Sequence, residues 1–225
     1  MERAPRVVAF DVIGTVFSLD VLRERLTAAE VPDHALELWF SRSLRDLFAL
    51  AAAGVHRPFR EVLDGNLAVV LDRFGGKRDE AARAHILDGF AALQAHADAG
   101  EAFRRLAAAG VRIVALTNGA GPTTETLLKR AGLLDLVEHV VSIDDVGIAK
   151  PRREVYHHAA QLAVVPVEDM ALVAAHPWDV NGAAEAGLMT AYVARREPYP
   201  AFFRKPDVTA PDLDAAVAAL IRTGG

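Results

Sequence analysis

Polar residues stand at the end of four predicted strands or directly beyond them, and their side chains are of types that act in catalysis. They are Asp11, the pair Thr117-Asn118, Lys150 and Asp179. Ligands of open α/β sheets bind in the crevice outside the carboxyl ends of the strands, and a charge at that edge is costly unless it has a partner or a function. Each position alone is explained equally well by a turn, a helix cap or a solvated surface charge. The convergence of all four on one crevice predicts a functional site there.

The elements that must position these residues alternate between strands and helices. Residues 7–10 form an apolar, β-branched run that is typical of a strand buried on both faces. Further strands are predicted at 111–116, 137–143, 170–175 and 190–194, with helical patterns between them. This alternation predicts an α/β fold with a Rossmann-like parallel sheet.

A long helical stretch interrupts the alternation after the first strand. Its helical patterns contain no predicted strand, and the stretch is too long for a simple βαβ crossover. We therefore predict an inserted all-helical cap subdomain, residues 18–96, and a core formed by residues 1–17 and 97–225. The helices are predicted over 19–30, 35–53, 57–73 and 79–95.

The composition limits the classes of function. The chain has 225 residues, of which 52% are hydrophobic and 24% charged, which is typical of a globular protein. A formal net charge of −5 gives no basic surface for nucleic acid. There are no cysteines, no signal-peptide pattern at the start and no apolar run long enough to span a membrane. We expect a cytoplasmic protein that acts on a small molecule, without a nucleic-acid or membrane partner.

The order of the polar motifs resembles the haloacid dehalogenase (HAD) superfamily. Asp11-x-x-Gly14-Thr15 comes first, Thr117-Asn118-Gly119 and Lys150-Pro151 follow, and the strand near 170–175 leads to Trp178-Asp179. The helical insert is similar to the cap domain of that superfamily. The segments Phe10–Phe17 and Ala175–Asp179 are most similar to the L-2-haloacid dehalogenase branch.

The resemblance implies a role for each matching residue. Asp11 would be the nucleophile that forms an aspartyl ester, which water then hydrolyses. Lys150 would keep Asp11 ionised, since an ammonium within about 4–6 Å favours the carboxylate. Asp179 would hold Lys150 and orient the water, and Thr117 and Asn118 would donate hydrogen bonds to the ester or to a substrate carboxylate.

The resemblance also distinguishes two reaction types. HAD phosphatases carry a proton-donating aspartate two residues after the nucleophile and a second metal-binding carboxylate about four residues before the last aspartate. This chain has Ile13 and Ala175 at those positions. Because Mg²⁺ requires oxygen ligands, we predict a site without a metal or other cofactor and a halide as the leaving group.

The chain departs from the dehalogenase pattern at several positions. The branch has Tyr where this chain has Ile13, Ser where it has Ala174 and Ala175, and Asn where it has His176. Its cap arginine, which receives the departing halide, is replaced by Phe40. A phenyl edge is only weakly electropositive, so Phe40 cannot replace the guanidinium as the partner of an anion. We expect Ile13, Phe40, His176 and Trp178 to contact the substrate, although Trp178 and His176 fit an ordinary structural role equally well.

Other cationic side chains are candidates for the function of the missing arginine. Arg42 and Arg45 are predicted on the same helix as residue 40, and Arg57 and Arg60 at the start of the next. For Arg42 and Arg45 an exposed helix face is the better explanation. His176 is the stronger candidate, because a histidine there could bind an anion when protonated or assist the water.

The sequence leaves three functional readings open. The first is a metal-independent hydrolase of small halogenated carboxylates. The second is a phosphatase with a reduced metal site, and the third is a catalytically impaired HAD-fold binding protein. The apolar face of the predicted cap also suggests a homodimer.

Overall fold

The computed structural model describes residues 4–195 and 197–222. Its central feature is a six-stranded parallel sheet with the order β5-β4-β1-β6-β7-β8, which confirms the predicted α/β class. A second sheet pairs β2 with β3 in antiparallel fashion. The strands are β1 (Val7–Asp11), β2 (Phe17–Ser18), β3 (Gln94–Ala95), β4 (Arg112–Thr117), β5 (His139–Ser142), β6 (Met170–Ala174), β7 (Met189–Val193) and β8 (Val208–Ala210).

Helices flank the sheet and fill the stretch between β2 and β3. Within the described ranges no helix is long and apolar enough to cross a membrane. The helices are α1 (Asp20–Ala28), α2 (Ala35–Ala52), α3 (Phe59–Phe74), α4 (Glu80–Leu87), α5 (Ala99–Ala108), α6 (Gly121–Arg130), α7 (Ile143–Val146), α8 (Arg153–Leu162), α9 (Pro177–Ala186) and α10 (Leu213–Arg222).

The central strand β1 is buried along its whole length, as its apolar sequence predicts. It pairs in parallel with β4 on one side and with β6 on the other. In this register Asp11 lies opposite Leu116, one residue before the end of β4. The carboxyl ends of β1 and β4 therefore lie side by side at one edge of the sheet, which brings Asp11 close to Thr117.

The helices α1 to α4 pack against one another through buried apolar residues, which are continuous with the core around the sheet. Trp39 of α2 is fully buried, and its indole N–H donates to the carbonyl of Leu63 in α3 at 2.8 Å. Phe90 meets the Trp39 ring edge-on, with the ring centroids 5.9 Å apart. The pairing of β2 with β3 joins the two ends of this helical stretch. The exact domain boundaries at 17/18 and 96/97 remain our proposal.

Three details differ from the sequence-based expectations. The helix predicted to reach residue 95 ends at Leu87 and continues only as a 3₁₀ turn, Asp88–Ala92. The short strands β2 and β3 were not expected, because two-residue strands carry no periodic pattern. The same is true of β8, whose three residues gain their order from pairing with β7.

Candidate active site

The ammonium of Lys150 lies at the centre of a buried polar cluster at the carboxyl edge of the sheet. Its Nζ donates to Oδ1 of Asp11 at 2.9 Å, to Oδ2 of Asp179 at 2.7 Å and to the carbonyl of Leu116 at 2.9 Å. Its side chain is 0% exposed. All three ammonium protons therefore have acceptors. The distance to Asp11 is shorter than the 4–6 Å at which such a charge already favours a carboxylate.

The local backbone around Lys150 is held by Asn118. The side-chain oxygen of Asn118 accepts from the backbone N–H of Lys150 at 3.1 Å. The hydroxyl oxygen of Thr117 accepts from the backbone N–H of Gly119 at 2.9 Å. Both side chains were expected to donate to a substrate or ester. In this structure the side-chain oxygens accept from the backbone and so fix the two loops that carry the site. The Thr117 hydroxyl hydrogen and the Asn118 NH2 group can still donate, so the expected donation stays a prediction.

The two oxygens of Asp11 face different partners. Oδ1 accepts from Lys150, whereas Oδ2 accepts from the hydroxyl of Thr15 at 2.6 Å. Thr15 is itself oriented by the backbone N–H of Ala175, which donates to its hydroxyl oxygen at 2.9 Å. The Nε2 atom of His176 lies 3.6 Å from Oδ2, beyond hydrogen-bond distance but close enough for an ion pair.

Burial by itself would raise the pKa of the Asp11 carboxyl. The ammonium of Lys150, with smaller contributions from His176 and from the Thr15 hydroxyl, outweighs burial and holds this pKa below its usual value. For Lys150, burial alone would lower the pKa, but Asp11 and Asp179 together raise it. The two groups therefore stabilise each other as a charged pair at neutral pH.

The pKa of Asp179 is shifted in the opposite direction from that of Asp11. It lies in the first turn of α9, and both oxygens are occupied, because Oδ2 accepts from Lys150 and Oδ1 accepts from the Tyr156 hydroxyl at 2.6 Å. Burial and the nearby charge of Asp11 raise its pKa, although Lys150 acts in the opposite direction. Asp179 thus holds the lysine, and its role in orienting a water molecule stays a prediction.

Two residues of the cluster were absent from the predicted site. Thr15 belongs to the quoted Asp-x-x-Gly-Thr motif, so its spacing from Asp11 was a usable signal. Tyr156 had no such signal, because it lies on α8 and meets Asp179 only through tertiary packing. Burial and the charge of Asp179 raise the pKa of Tyr156 well above its usual value, so the phenol stays protonated.

Two cavities adjoin the loop that follows Asp11. The larger has a volume of about 520 Å³ and is lined by Gly14, Phe40, His176 and Trp178, among others. The smaller has a volume of about 160 Å³ and is lined by Ile13, Phe59 and Gly119, among others. Three of the four predicted substrate contacts thus share one cavity. Ile13 lies in the other.

Aromatic rings separate the two cavities. Phe40 is 6.0 Å from the His176 ring and 6.2 Å from the Phe59 ring, centroid to centroid. The His176 ring stacks on Trp178 at 5.5 Å, and Trp178 also contacts Phe48 at 4.8 Å. The position of the missing cap arginine is therefore filled by an apolar contact rather than by a cation.

Two of the four candidate arginines form ion pairs with aspartates. Arg45 pairs with Asp46 at 2.7 Å. Arg60 lines the smaller cavity but pairs with Asp88 at 2.7 Å. None of the four candidate arginines lines the larger cavity. Within the described ranges, no group of three or more His, Asp or Glu side chains is arranged to hold a metal ion.

Comparison with known proteins identifies the family. The family profile of haloacid dehalogenase-like hydrolases matches residues 5–187. The chain belongs to this hydrolase family. The order of its motifs had predicted that membership, and the match includes the helical insert and four strands of the large sheet, β1, β4, β5 and β6.

Curated relatives of this HAD hydrolase are dehalogenases. The (S)-2-haloacid dehalogenase of Pseudomonas sp. (strain YL) is 25% identical over 191 residues, which cover 84% of this chain and 82% of the relative. Haloacetate dehalogenase H-2 of Moraxella sp. (strain B) is 24% identical over 214 residues, covering 93% and 95%. The matches extend over most of both proteins, so the cap helices are included.

Solved structures give the same family. The L-2-haloacid dehalogenase RSc1362 superimposes with a TM-score of 0.91 at 26% identity, covering 96% of this chain and 99% of the other. The L-2-haloacid dehalogenase of Xanthobacter autotrophicus has a TM-score of 0.89 at 23% identity, covering 97% and 98%. The latter likeness shows the HAD fold alone.

Proposed function

We propose that this HAD hydrolase is a metal-independent dehalogenase of small 2-haloacid-like carboxylates, with Asp11 as its nucleophile. The observation that carries the proposal is the contact between the Asp11 carboxylate and the buried Lys150 ammonium, beside a cavity between the sheet edge and the helical insert. The names of the dehalogenase relatives support the substrate class. Halide release needs no proton, which agrees with Ile13 at the position of a phosphatase acid.

In the first step the Asp11 carboxylate attacks the carbon that bears the halogen. A C–O bond forms, the carbon–halogen bond breaks, and the halide leaves with the bonding electrons. Lys150 keeps the attacking group ionised, while Thr15 fixes the plane of the carboxylate through its hydrogen bond to Oδ2. Splitting one displacement into two steps is the general advantage of covalent catalysis.

In the second step water hydrolyses the ester at Cγ of Asp11. Lys150 lies next to Oδ1 and would stabilise the negative charge that develops there in the tetrahedral intermediate. Asp179 and Tyr156 act as positioning residues, because Asp179 holds the ammonium, Tyr156 holds Asp179, and neither lines one of the two cavities. The products are a hydroxy acid, the halide and one proton.

The donor atoms of the site do not suit a divalent metal ion. Ala175 supplies no ligand, and the Lys150 ammonium lies between Asp11 and Asp179, where it already neutralises their charge. A divalent cation bound by both carboxylates would face that ammonium at close range, which costs free energy.

The homodimer and the cytoplasmic location stay predictions, and size-exclusion chromatography with light scattering tests the former.

A screen of halide release tests the proposal. Chloro- and bromoacids of two to six carbons are incubated with the protein, with EDTA or with added Mg²⁺, beside a phosphate ester. We expect halide release that is unaffected by EDTA, and Asp11→Asn should reduce it to background. Turnover of the phosphate ester that depends on Mg²⁺, without halide release, would instead support the phosphatase reading.

A further inference from the structure

We propose that His176 is a catalytic residue of ester hydrolysis and gives its Nε2 proton to Oδ2 of Asp11 when the Cγ–Oδ2 bond breaks. The inference rests on the proposed function, since it requires an ester on Asp11. The sequence left open whether His176 binds an anion or assists the hydrolytic water. The proposal assigns it a specific step.

The proton on Nε2 follows from its hydrogen bond. Nε2 lies 2.9 Å from the carbonyl oxygen of Ile13, and a carbonyl can only accept, so Nε2 carries the hydrogen. The same nitrogen is 3.6 Å from Oδ2 of Asp11. His176 therefore presents an N–H group beside the carboxylate oxygen that Lys150 does not hold.

The ring is fixed in this orientation by its surroundings. It lies between Phe40 and Trp178, with centroid distances of 6.0 and 5.5 Å. Gly14 provides the space for it, because a Cβ at that position would lie only 2.7 Å from Nε2. Gly14 also has a φ of +84°, a conformation that disfavours any side chain there.

Oδ2 is the oxygen better placed to form the ester bond. Oδ1 accepts from the Lys150 ammonium, whereas Oδ2 accepts from the neutral Thr15 hydroxyl. Both hydrogen bonds are charge-assisted because Asp11 is ionised, but only Oδ1 is paired with a full positive charge, so Oδ2 keeps the larger share of the nucleophilic negative charge. Oδ2 also lies on the side of Gly14 and His176, which line the larger cavity.

The position of Nε2 does not suit a halide receptor. In a displacement at carbon the leaving group departs from the face opposite the attacking oxygen. Nε2 lies beside the attacking Oδ2, so the halide moves away from it. In the hydrolysis step, by contrast, Oδ2 itself becomes part of the leaving group and needs a proton.

Ester hydrolysis in this geometry begins with His176 as the imidazolium. The oxygen of water bonds to Cγ, the Cγ–Oδ2 bond breaks, and Oδ2 departs with the substrate carbon as the hydroxyl of the product after taking the Nε2 proton, which leaves a neutral imidazole. One proton of the water returns to the imidazole and the other is released to solvent. Asp11 is left as a carboxylate that contains the oxygen of the water.

Separate measurement of the two half-reactions tests this role. His176→Asn is mixed with racemic 2-bromopropionate in a rapid-quench apparatus, and bromide and intact mass are followed. We expect a burst of about one bromide per active site, accumulation of the ester on the peptide with Asp11, and a steady-state rate about 100-fold below wild type, as loss of a general acid predicts. Imidazole added to His176→Ala should restore the hydrolysis rate.

A matched control distinguishes this role from a structural one. His157 also forms a hydrogen bond with a backbone carbonyl, that of Ala186 at 2.9 Å, but His157 lines neither cavity. The variant His157→Asn should therefore behave as wild type. A His176→Asn variant without a burst, or with an unchanged steady-state rate, would overturn the inference alone. Failure of wild type to release halide from any acid of the screen would overturn the proposed function and the inference with it.

Discussion

Replacing Lys150 by Met tests the charge balance of the site most severely. Met keeps most of the apolar stem but removes three hydrogen bonds and the only cation between Asp11 and Asp179. Removing one partner of a buried ion pair typically costs about 3–5 kcal/mol, because the remaining charge is left uncompensated. We expect this loss in the free energy of unfolding at pH 7, together with loss of turnover.

The pH dependence of that loss gives a sharper test than its size. In wild type the pKa of Asp11 lies below its ordinary value, so its stabilising contribution is complete above about pH 4 and is lost only as the pH falls through the lower, folded value. Without Lys150, burial and mutual repulsion should raise the carboxyl pKa values instead. The folded variant then binds protons that the unfolded chain does not, so its stability should increase as the pH falls from 8 to 5.

Urea unfolding followed by tryptophan fluorescence at four pH values between 5 and 8 measures this effect. The free energy of unfolding of Lys150→Met is expected to be lower than that of wild type. As the pH falls, this difference should shrink by up to about 1.4 kcal/mol for each pH unit over which one proton is taken up. Lys129→Met, which removes an exposed lysine of α6, should show no such trend. A deficit below about 1 kcal/mol, or one that is constant with pH, would refute the reasoning.

Three further predictions concern the Tyr156 hydroxyl, the backbone at Val164 and the pH dependence of ester formation. Tyr156→Phe removes the hydroxyl that donates to Asp179 and should destabilise the fold by about 1.5–3 kcal/mol in urea unfolding, and a loss under 0.5 kcal/mol would contradict that bond. Val164→Gly should stabilise it by about 1 kcal/mol, because Val164 has a φ of +51° and is 81% exposed, and a lower melting temperature would speak against strain there. Since the pKa of Asp11 is lowered and that of Lys150 raised, the rate constant of ester formation, read from the bromide burst, should be level between about pH 5 and 9. A midpoint inside that range that persists in His176→Ala would contradict this prediction.

Much of the fold could be predicted from local patterns. The buried run of β1 and the alternation after residue 97 indicated a parallel sheet, and such patterns depend on neighbouring residues only. The helix α8 begins and ends where its pattern predicted, at Arg153 and Leu162. The edge strand β8 could not be found in this way, because its three residues are ordered by pairing with β7.

The candidate site was predictable to the extent that its residues follow strands. Asp11 and Lys150 are 139 residues apart, yet both lie at the carboxyl edge of the sheet, so topology alone brought them together. The backbone groups that bond to the Thr117 and Asn118 oxygens were not accessible from sequence, because they depend on how the two loops meet. The division into two cavities was equally inaccessible, because the rings beside it, Phe40, Phe59 and His176, are brought together by tertiary packing.

The central claim is that Asp11 forms a covalent ester, and a single turnover in ¹⁸O-labelled water tests it most directly. Enzyme in excess over substrate is quenched after one turnover, and the product and the peptide that contains Asp11 are analysed by mass spectrometry. If water attacks Cγ of the Asp11 ester, the product hydroxyl is unlabelled and the Asp11 carboxylate gains one ¹⁸O atom. Label in the product, with none in the Asp11 peptide, would contradict it, because water would then have attacked the substrate directly.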